Sequence, residues 1–180
     1  VVAVAVIGLT IFAVLSSNKS TPTDETNTNQ VVADKEFGVA VGLVEGVVEY
    51  AEDAKNWKTL TAETDLTEGD RVRTANDSRA VLLIDDGSAV RMSGSSEVTL
   101  TSLNTDSIVV TNNLGEVYNR VTASETREYK VIVDENTYKA KGTAYRTFNR
   151  EAKKGVEVFQ SSVEFVSDKT EVPEGSYYYT

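Results

Sequence analysis

The sequence contains no cysteine and no histidine, one methionine, one tryptophan and two prolines. Without cysteine there is no disulfide framework, no thiolate nucleophile, no iron–sulfur cluster and no thiolate zinc site. Without histidine there is no Ser-His-Asp triad, no imidazole metal ligand and no side chain that titrates near neutrality by default. Cations are scarce as well: 18 Lys and Arg stand against 28 Asp and Glu, a net charge of −10 over 180 residues. That balance excludes nucleic acid as a partner, because phosphate binding draws its affinity from clustered Lys and Arg. Carboxylate chemistry, a hard-cation site or a role without chemistry remain. We expect the last, with no cofactor, no metal and no catalytic residue.

Polar residues are missing from one long stretch. Val1 to Leu15 reads VVAVAVIGLTIFAVL, interrupted only by Gly8 and Thr10. As a helix it would extend about 22 Å, short of the about 30 Å hydrocarbon core of a bilayer. Two readings fit, a transmembrane helix or the apolar region of a secretory signal. A buried core helix would carry a polar face, and this run has none. The sequence starts on Val1 rather than Met, so we expect the run to be the remainder of a longer segment. From Ser16 the composition turns to Ser, Thr, Asn and acidic residues (SSNKSTPTDETNTN), too poor in apolar surface to offset its ordering entropy. The expected organisation is an apolar segment at 1–15, a flexible linker at 16–35 and a folded domain at 36–180. That domain would lie outside the cytoplasm, in the periplasm or at the cell surface, held to the membrane by a single pass.

The folded part reads as strand almost throughout. Tyr129, Val131 and Val133 alternate with polar neighbours, as do Val98 and Leu100, and Tyr138 and Ala140. A period of two is the mark of a half-buried strand. Val81–Ile84 is continuously apolar, which predicts a strand covered on both faces. Asp86-Gly87 between two apolar runs predicts a hairpin. Gly69-Asp70, Ser93-Gly94, and Asn112-Asn113 with Gly115 read as turns between further strands. The best stretch for a short helix or coil is Asn149–Lys154. Gly38, Gly42 and Gly46 repeat at intervals of four, but in a strand-like context that predicts bulges or close packing of the sheet. The fold class is all-β, a sandwich or roll of many short antiparallel strands, preceded by the N-terminal apolar helix.

The segment Leu66–Leu100 carries a more specific pattern: Gly69-Asp70, Thr74, Arg79-Ala80, Asp86-Gly87-Ser88 and Ser96. Gly46-Val47-Val48, Trp57 and Leu60 precede it; Gly115-Glu116-Val117 and Gly142-Thr143 follow it. In this order the residues resemble the FecR family, extracytoplasmic domains named for a regulator of ferric-citrate transport, over about Gly38 to Val166. The resemblance implies an all-β scaffold and a part in signalling across a membrane. It also implies a sigma-factor-binding segment ahead of the membrane helix, and a later domain that meets an outer-membrane transporter. Neither is among these 180 residues, so both stand as implications of the family alone.

The residue chemistry behind the pattern is structural. Gly69 and Gly87 supply positive φ at turns, and Asp70 and Asp86 close turns on backbone amides. Arg79 has Asp85 or Asp70 as candidate partners, or is a solvated edge residue. The adjacent carboxylates Asp85-Asp86 and Glu52-Asp53 point to opposite faces of a strand, so neither pair makes an acid–base couple by itself. No stretch repeats the alternating Asp/Asn loop of a calcium site. Tyr177, Tyr178 and Tyr179 read as an edge strand or as rings to stack on a sugar or a partner. The expected function is non-enzymatic: binding of an envelope protein or ligand, with transmembrane signalling or regulation. The alternative is a structural or adhesion module of the cell envelope.

Overall fold

The computed structural model describes residues 36–53 and 55–180; the apolar run at 1–15 and the linker at 16–35 lie outside them. Among the described residues there is no helix, and hence none long and apolar enough to cross a membrane. Fifteen strands follow in order. They begin with β1 (Val39–Glu45), β2 (Val48–Ala51), β3 (Lys58–Thr59), β4 (Arg71–Thr74) and β5 (Arg79–Ile84). The middle of the chain forms β6 (Ala89–Met92), β7 (Glu97–Leu103), β8 (Ser107–Arg120), β9 (Glu128–Val133) and β10 (Asn136–Ala140). The last third forms β11 (Ala144–Arg150), β12 (Lys153–Gln160), β13 (Ser162–Phe165), β14 (Thr170–Pro173) and β15 (Tyr177–Tyr179).

These strands make two sheets that share β8. Sheet A runs β1-β5-β6-β8-β11-β12-β15, antiparallel throughout. Sheet B runs β3-β2-β4-β7-β8-β9-β10-β13-β14, antiparallel except for the parallel pair β8–β9. Residues 108–114 of β8 pair with β7 in sheet B, whereas residues 115–120 pair with β6 and β11 in sheet A. The inner faces of the two sheets meet in one apolar core that includes Leu82, Val90, Val98, Leu100, Ile108, Val110, Val131 and Tyr145. Full burial of each Val, Leu or Ile side chain contributes about 1.5–3 kcal/mol. The period-two alternation read from β7, β9 and β10 is the alternation of their buried and half-buried residues.

Four expectations give way to the tertiary structure. Asn112-Asn113 and Gly115 do not make a turn; they are the bend inside β8, where the strand leaves one sheet for the other. Asn112 is buried there and donates to Thr147 Oγ1 across the core at 3.1 Å. The strands are not all short and antiparallel either, since β8 has 14 residues and its return loop starts β9 alongside its first half. Asn149–Lys154 is no helix but the tip of the β11–β12 hairpin, closed by the pairing of Arg150 with Lys153. Long-range pairing overrides a weak local preference there. Finally, β5 is covered on one face alone: Leu82 and Ile84 are buried while Leu83 is 45% exposed. The glycine-rich start behaves as its composition suggests, with a register shift across Gly42 between Val41 and Leu43.

The bend in β8 is held by hydroxyls. Thr74 Oγ1 donates to Ser93 O at 2.6 Å and accepts from Ser96 N–H at 3.0 Å. Ser96 Oγ in turn accepts from Glu116 N–H at 3.0 Å and reaches Glu116 O at 3.2 Å. Gly115 sits against this staple at φ +89°, and a Cβ placed on it would lie 2.4 Å from Ser96 Oγ and 2.6 Å from Ser95 O. Gly69 has nearly the same φ, +91°, with nothing within 4 Å of such a Cβ.

These differences set the cost of adding a methyl group. Gly115→Ala should destabilise the fold by about 2–4 kcal/mol, combining backbone strain with overpacking, and Gly69→Ala by about 1 kcal/mol from strain alone. Urea unfolding of the two variants measures both; equal losses would mean the bend is not a point of close packing. A second expectation concerns acid. Glu128 on β9 is held by hydrogen bonds from Lys130, at 2.5 Å, and from Lys139 across the β9–β10 pair, so its carboxyl falls from 4.5 to about 2. A depressed carboxylate stabilises above its unfolded pKa and loses that contribution as pH falls through the folded one. The stabilisation should therefore fade between about pH 4.5 and pH 2, by at most about 1 kcal/mol because the side chain is partly exposed. Glu128→Gln should flatten this acid limb in urea titrations at stepped pH.

Candidate interaction surface

The residues singled out in the sequence gather into two staples and two isolated positions. Asp70 Oδ2 accepts from Thr67 N–H at 2.8 Å and closes the turn that carries Gly69. Thr74 meets Gly115 through Ser96, as described above. At the opposite end of β6, Asp86 accepts from Ser88 N–H at 2.7 Å and from Ser88 Oγ at 2.8 Å. Ser88 Oγ then accepts from Thr122 N–H at 3.0 Å. The same end holds Gly142 at φ +68° against Ala123, and Thr143, whose Oγ1 donates to Gln160 O. Gly87, also at positive φ, lies beside Thr122. Ala80 is a core residue of β5. Arg79 pairs with neither Asp85 nor Asp70; it meets Glu45, its opposite in the β1–β5 register.

One ion pair at this end escaped the sequence reading. Arg127 Nη2 lies 2.7 Å from Asp86 Oδ2, whose side chain is 1% exposed. The guanidinium also lies over the Phe37 ring at 5.0 Å. Next to it, Gly38 N–H donates to Asp85 Oδ2 at 2.9 Å. The two neighbouring aspartates thus serve separate partners, one clamping the start of β1 and one the β8–β9 connection. Glu52 and Asp53 are likewise engaged, with Lys58 Nζ at 2.7 Å and with the Lys55 and Asn56 amides. Backbone amides at its carboxylate lower the Asp53 pKa. Among the described residues no three carboxylates gather as a metal-binding group would. A depression of about 290 Å³ between β10, β13 and β14 collects Lys139, Lys141 and Lys169 together with Glu164 and Glu171. Burial pushes the core phenols of Tyr129 and Tyr145 well above their ordinary range, so both stay neutral.

What the fold leaves open is the outer face of sheet A. Paired residues share a side of a sheet, so the register defines one transverse row. It runs from Leu43 through Val81 and Arg91 to Tyr118, then through Arg146 and Glu157 to Tyr177. Beside it, Phe159 stacks on Tyr118 at 5.8 Å, Tyr177 on Tyr179 at 4.9 Å, and Lys153 Nζ sits 3.9 Å over Phe148. The aliphatic end is exposed at Leu43 (40%) and Leu83 (45%), the aromatic end at Phe159 (42%) and Tyr177 (68%). Tyr178, between the two exposed tyrosines, points inward to Phe165 at 4.8 Å. By the same register Arg79, Arg91, Arg120, Arg146, Arg150 and Lys153 lie on this side, against Glu45, Glu116 and Glu157. Arg146 bridges Glu116 and Glu157 at 2.7 and 2.6 Å. The sequence signal for this face was weak. Only the tyrosine run stood out, because the other members of the face come from six further strands.

Comparison with known proteins adds the family and the fold. A sequence model of the family described as "FecR protein" matches residues 70–164, 95 of the 180 residues and a narrower span than the Gly38–Val166 resemblance. Two crystal structures of a candidate anti-sigma factor from Parabacteroides distasonis, at 2.50 and 1.65 Å resolution, are similar, each with a TM-score of 0.53 at 14% identity. Each match covers 61% of this chain and 58% of that chain, so it spans less than two-thirds of the solved protein's length. At that identity the likeness concerns the fold. No curated protein sequence matches this chain.

The buried pair permits a direct measurement. Asp86→Asn leaves a charged Arg127 without its carboxylate and should cost about 2–4 kcal/mol. Adding Arg127→Met should cost much less than Arg127→Met alone, giving a coupling of about 1–3 kcal/mol in a double-mutant cycle by urea unfolding. Additive losses would mean that the two side chains act independently.

Proposed function

The chain belongs to the FecR family, and from that premise we propose that it is a non-enzymatic regulatory domain working by protein contact outside the cytoplasm. In this reading Val1–Leu15 forms the membrane helix, residues 16–35 the tether, and residues 36–180 the part that meets an envelope partner. The observation that carries it is where the polar residues go. Asp70, Thr74, Asp86, Ser88 and Thr143 are spent on closing turns. The broad outer face of sheet A, by contrast, keeps Phe159, Tyr177 and Tyr179 exposed together with Arg91 and Arg120. The two turn-closing carboxylates, Asp70 and Asp86, sit in separate turns and do not converge on one point, whereas an exposed aromatic and arginine-bearing face is the composition of protein contacts. A fold neighbour described as a candidate anti-sigma factor supports transcriptional regulation as the output.

Two measurements test this. In the host that carries the gene, deleting residues 36–180 in frame should change the transcripts of a defined gene set several-fold, restored by the full chain. Unchanged transcripts with altered envelope integrity or adhesion would favour a structural module. An alkaline phosphatase fused after Thr180 should be active, as that enzyme is only outside the cytoplasm, and should leave the membrane fraction when residues 1–15 are removed. An inactive fusion in the membrane would reverse the orientation.

A further inference from the structure

We propose that the outer face of sheet A docks an acidic, extended segment of a partner protein whose apolar side chains alternate with its carboxylates. This deepens the protein-contact reading and rests on it. Seven strands at about 4.8 Å spacing make the transverse row about 29 Å long, the reach of roughly nine extended residues. The face changes character along that row, from aliphatic at Leu43 and Leu83 to aromatic at Phe159 and Tyr177. Carboxylates are outnumbered on it by cations, two to one, in a chain whose net charge is −10. Among the described residues Arg91 and Arg120 make no ion pair, and Arg91 lies over the Tyr118 ring at 5.5 Å. Both are exposed, and an unpaired guanidinium can take a carboxylate in a bidentate fork.

The same features select against other occupants. A glycan would use the aromatic end, since sugar rings stack on aromatic faces, but would leave Leu43 and Leu83 uncovered. An anionic bilayer, much wider than the face, would also meet the chain's excess carboxylates around it, whereas a segment of about nine residues lies on the face alone. A protein segment with acidic and apolar residues satisfies both ends of the row.

The test uses the full chain kept in neutral phosphatidylcholine nanodiscs and a random phage-displayed library of linear peptides about 12 residues long. Selected peptides should be acidic with interleaved apolar residues. Measured by fluorescence anisotropy, they should bind Arg91→Glu, Arg120→Glu and Tyr177→Ser chains at least about tenfold more weakly, and more weakly in high salt. Lys55→Glu, in the exposed β2–β3 loop of sheet B, should bind as the parent does, and circular dichroism identifies any variant that fails to fold. Neutral or basic binders, or binders indifferent to the three variants, would move the contact to another surface while leaving the protein-contact reading intact. No enrichment at all would overturn both. Variant-sensitive binding to phosphatidylglycerol vesicles or to peptidoglycan fragments, without peptide binding, would replace the protein segment by lipid or glycan.

Discussion

Both sheets are built on one strand, and the geometry of β8 decides what the remaining strands can do. A strand can serve two sheets only if it bends sharply between them, and an L-residue with a side chain resists the positive φ found at the bend. Gly115 meets that requirement, and the hydroxyls of Thr74 and Ser96 fix the neighbouring backbone in place. Once the bend is set, β7 and β9 can pair only with the first half, and β6 and β11 only with the second. The bend thus brings the inner faces of the two sheets together. The resulting core holds a few polar groups, among them Asn112 against Thr147 and Asn119 against Tyr129, one asparagine on either side of the bend.

Charge is distributed with the same economy. The one deeply buried ion pair among the described residues, Asp86 with Arg127, joins the β5–β6 turn to the loop that carries the chain from β8 to β9. It also bears on the first described residues, because Arg127 covers Phe37 and the adjacent Asp85 takes the Gly38 amide. On sheet B, cross-strand pairs such as Arg73 with Glu49 and Lys139 with Glu128 neutralise the outer face. On the other sheet the pairing is incomplete and a cationic surplus is left over. An acidic protein that, among its described residues, leaves Arg91, Arg120 and Lys153 unpaired on one face, beside aromatic rings, has a directional surface.

Much of this architecture was legible because it depends on local pattern. Alternation located β7, β9 and β10, and Asp86-Gly87 located a hairpin. What was not legible depends on pairing at a distance. Asn112-Asn113 and Gly115 have turn chemistry, and nothing near them in the chain says that the strand continues through them into a second sheet. Val81–Ile84 has the composition of a doubly covered strand, yet its partners on the outer side do not exist within the fold. Arg79 had Asp85 and Asp70 as candidate partners within ten residues and found Glu45 instead, 34 residues away. The candidate surface was hidden for the same reason. Each of its strands supplies one residue to the transverse row, so the row has no footprint in any short stretch of sequence.

The two ends of the domain belong to the two edges of a single sheet: β1 lies at one margin of sheet A and β15 at the other. Tension applied between Phe37 and Thr180 would therefore pass through every strand of sheet A in turn. In such a series the strand held by the fewest pairings parts first. The three-residue β15, with its two outward tyrosines, would be the first to part. A pull on the C-terminal end would in this way change the aromatic end of the exposed face before it disturbed the shared strand at the centre.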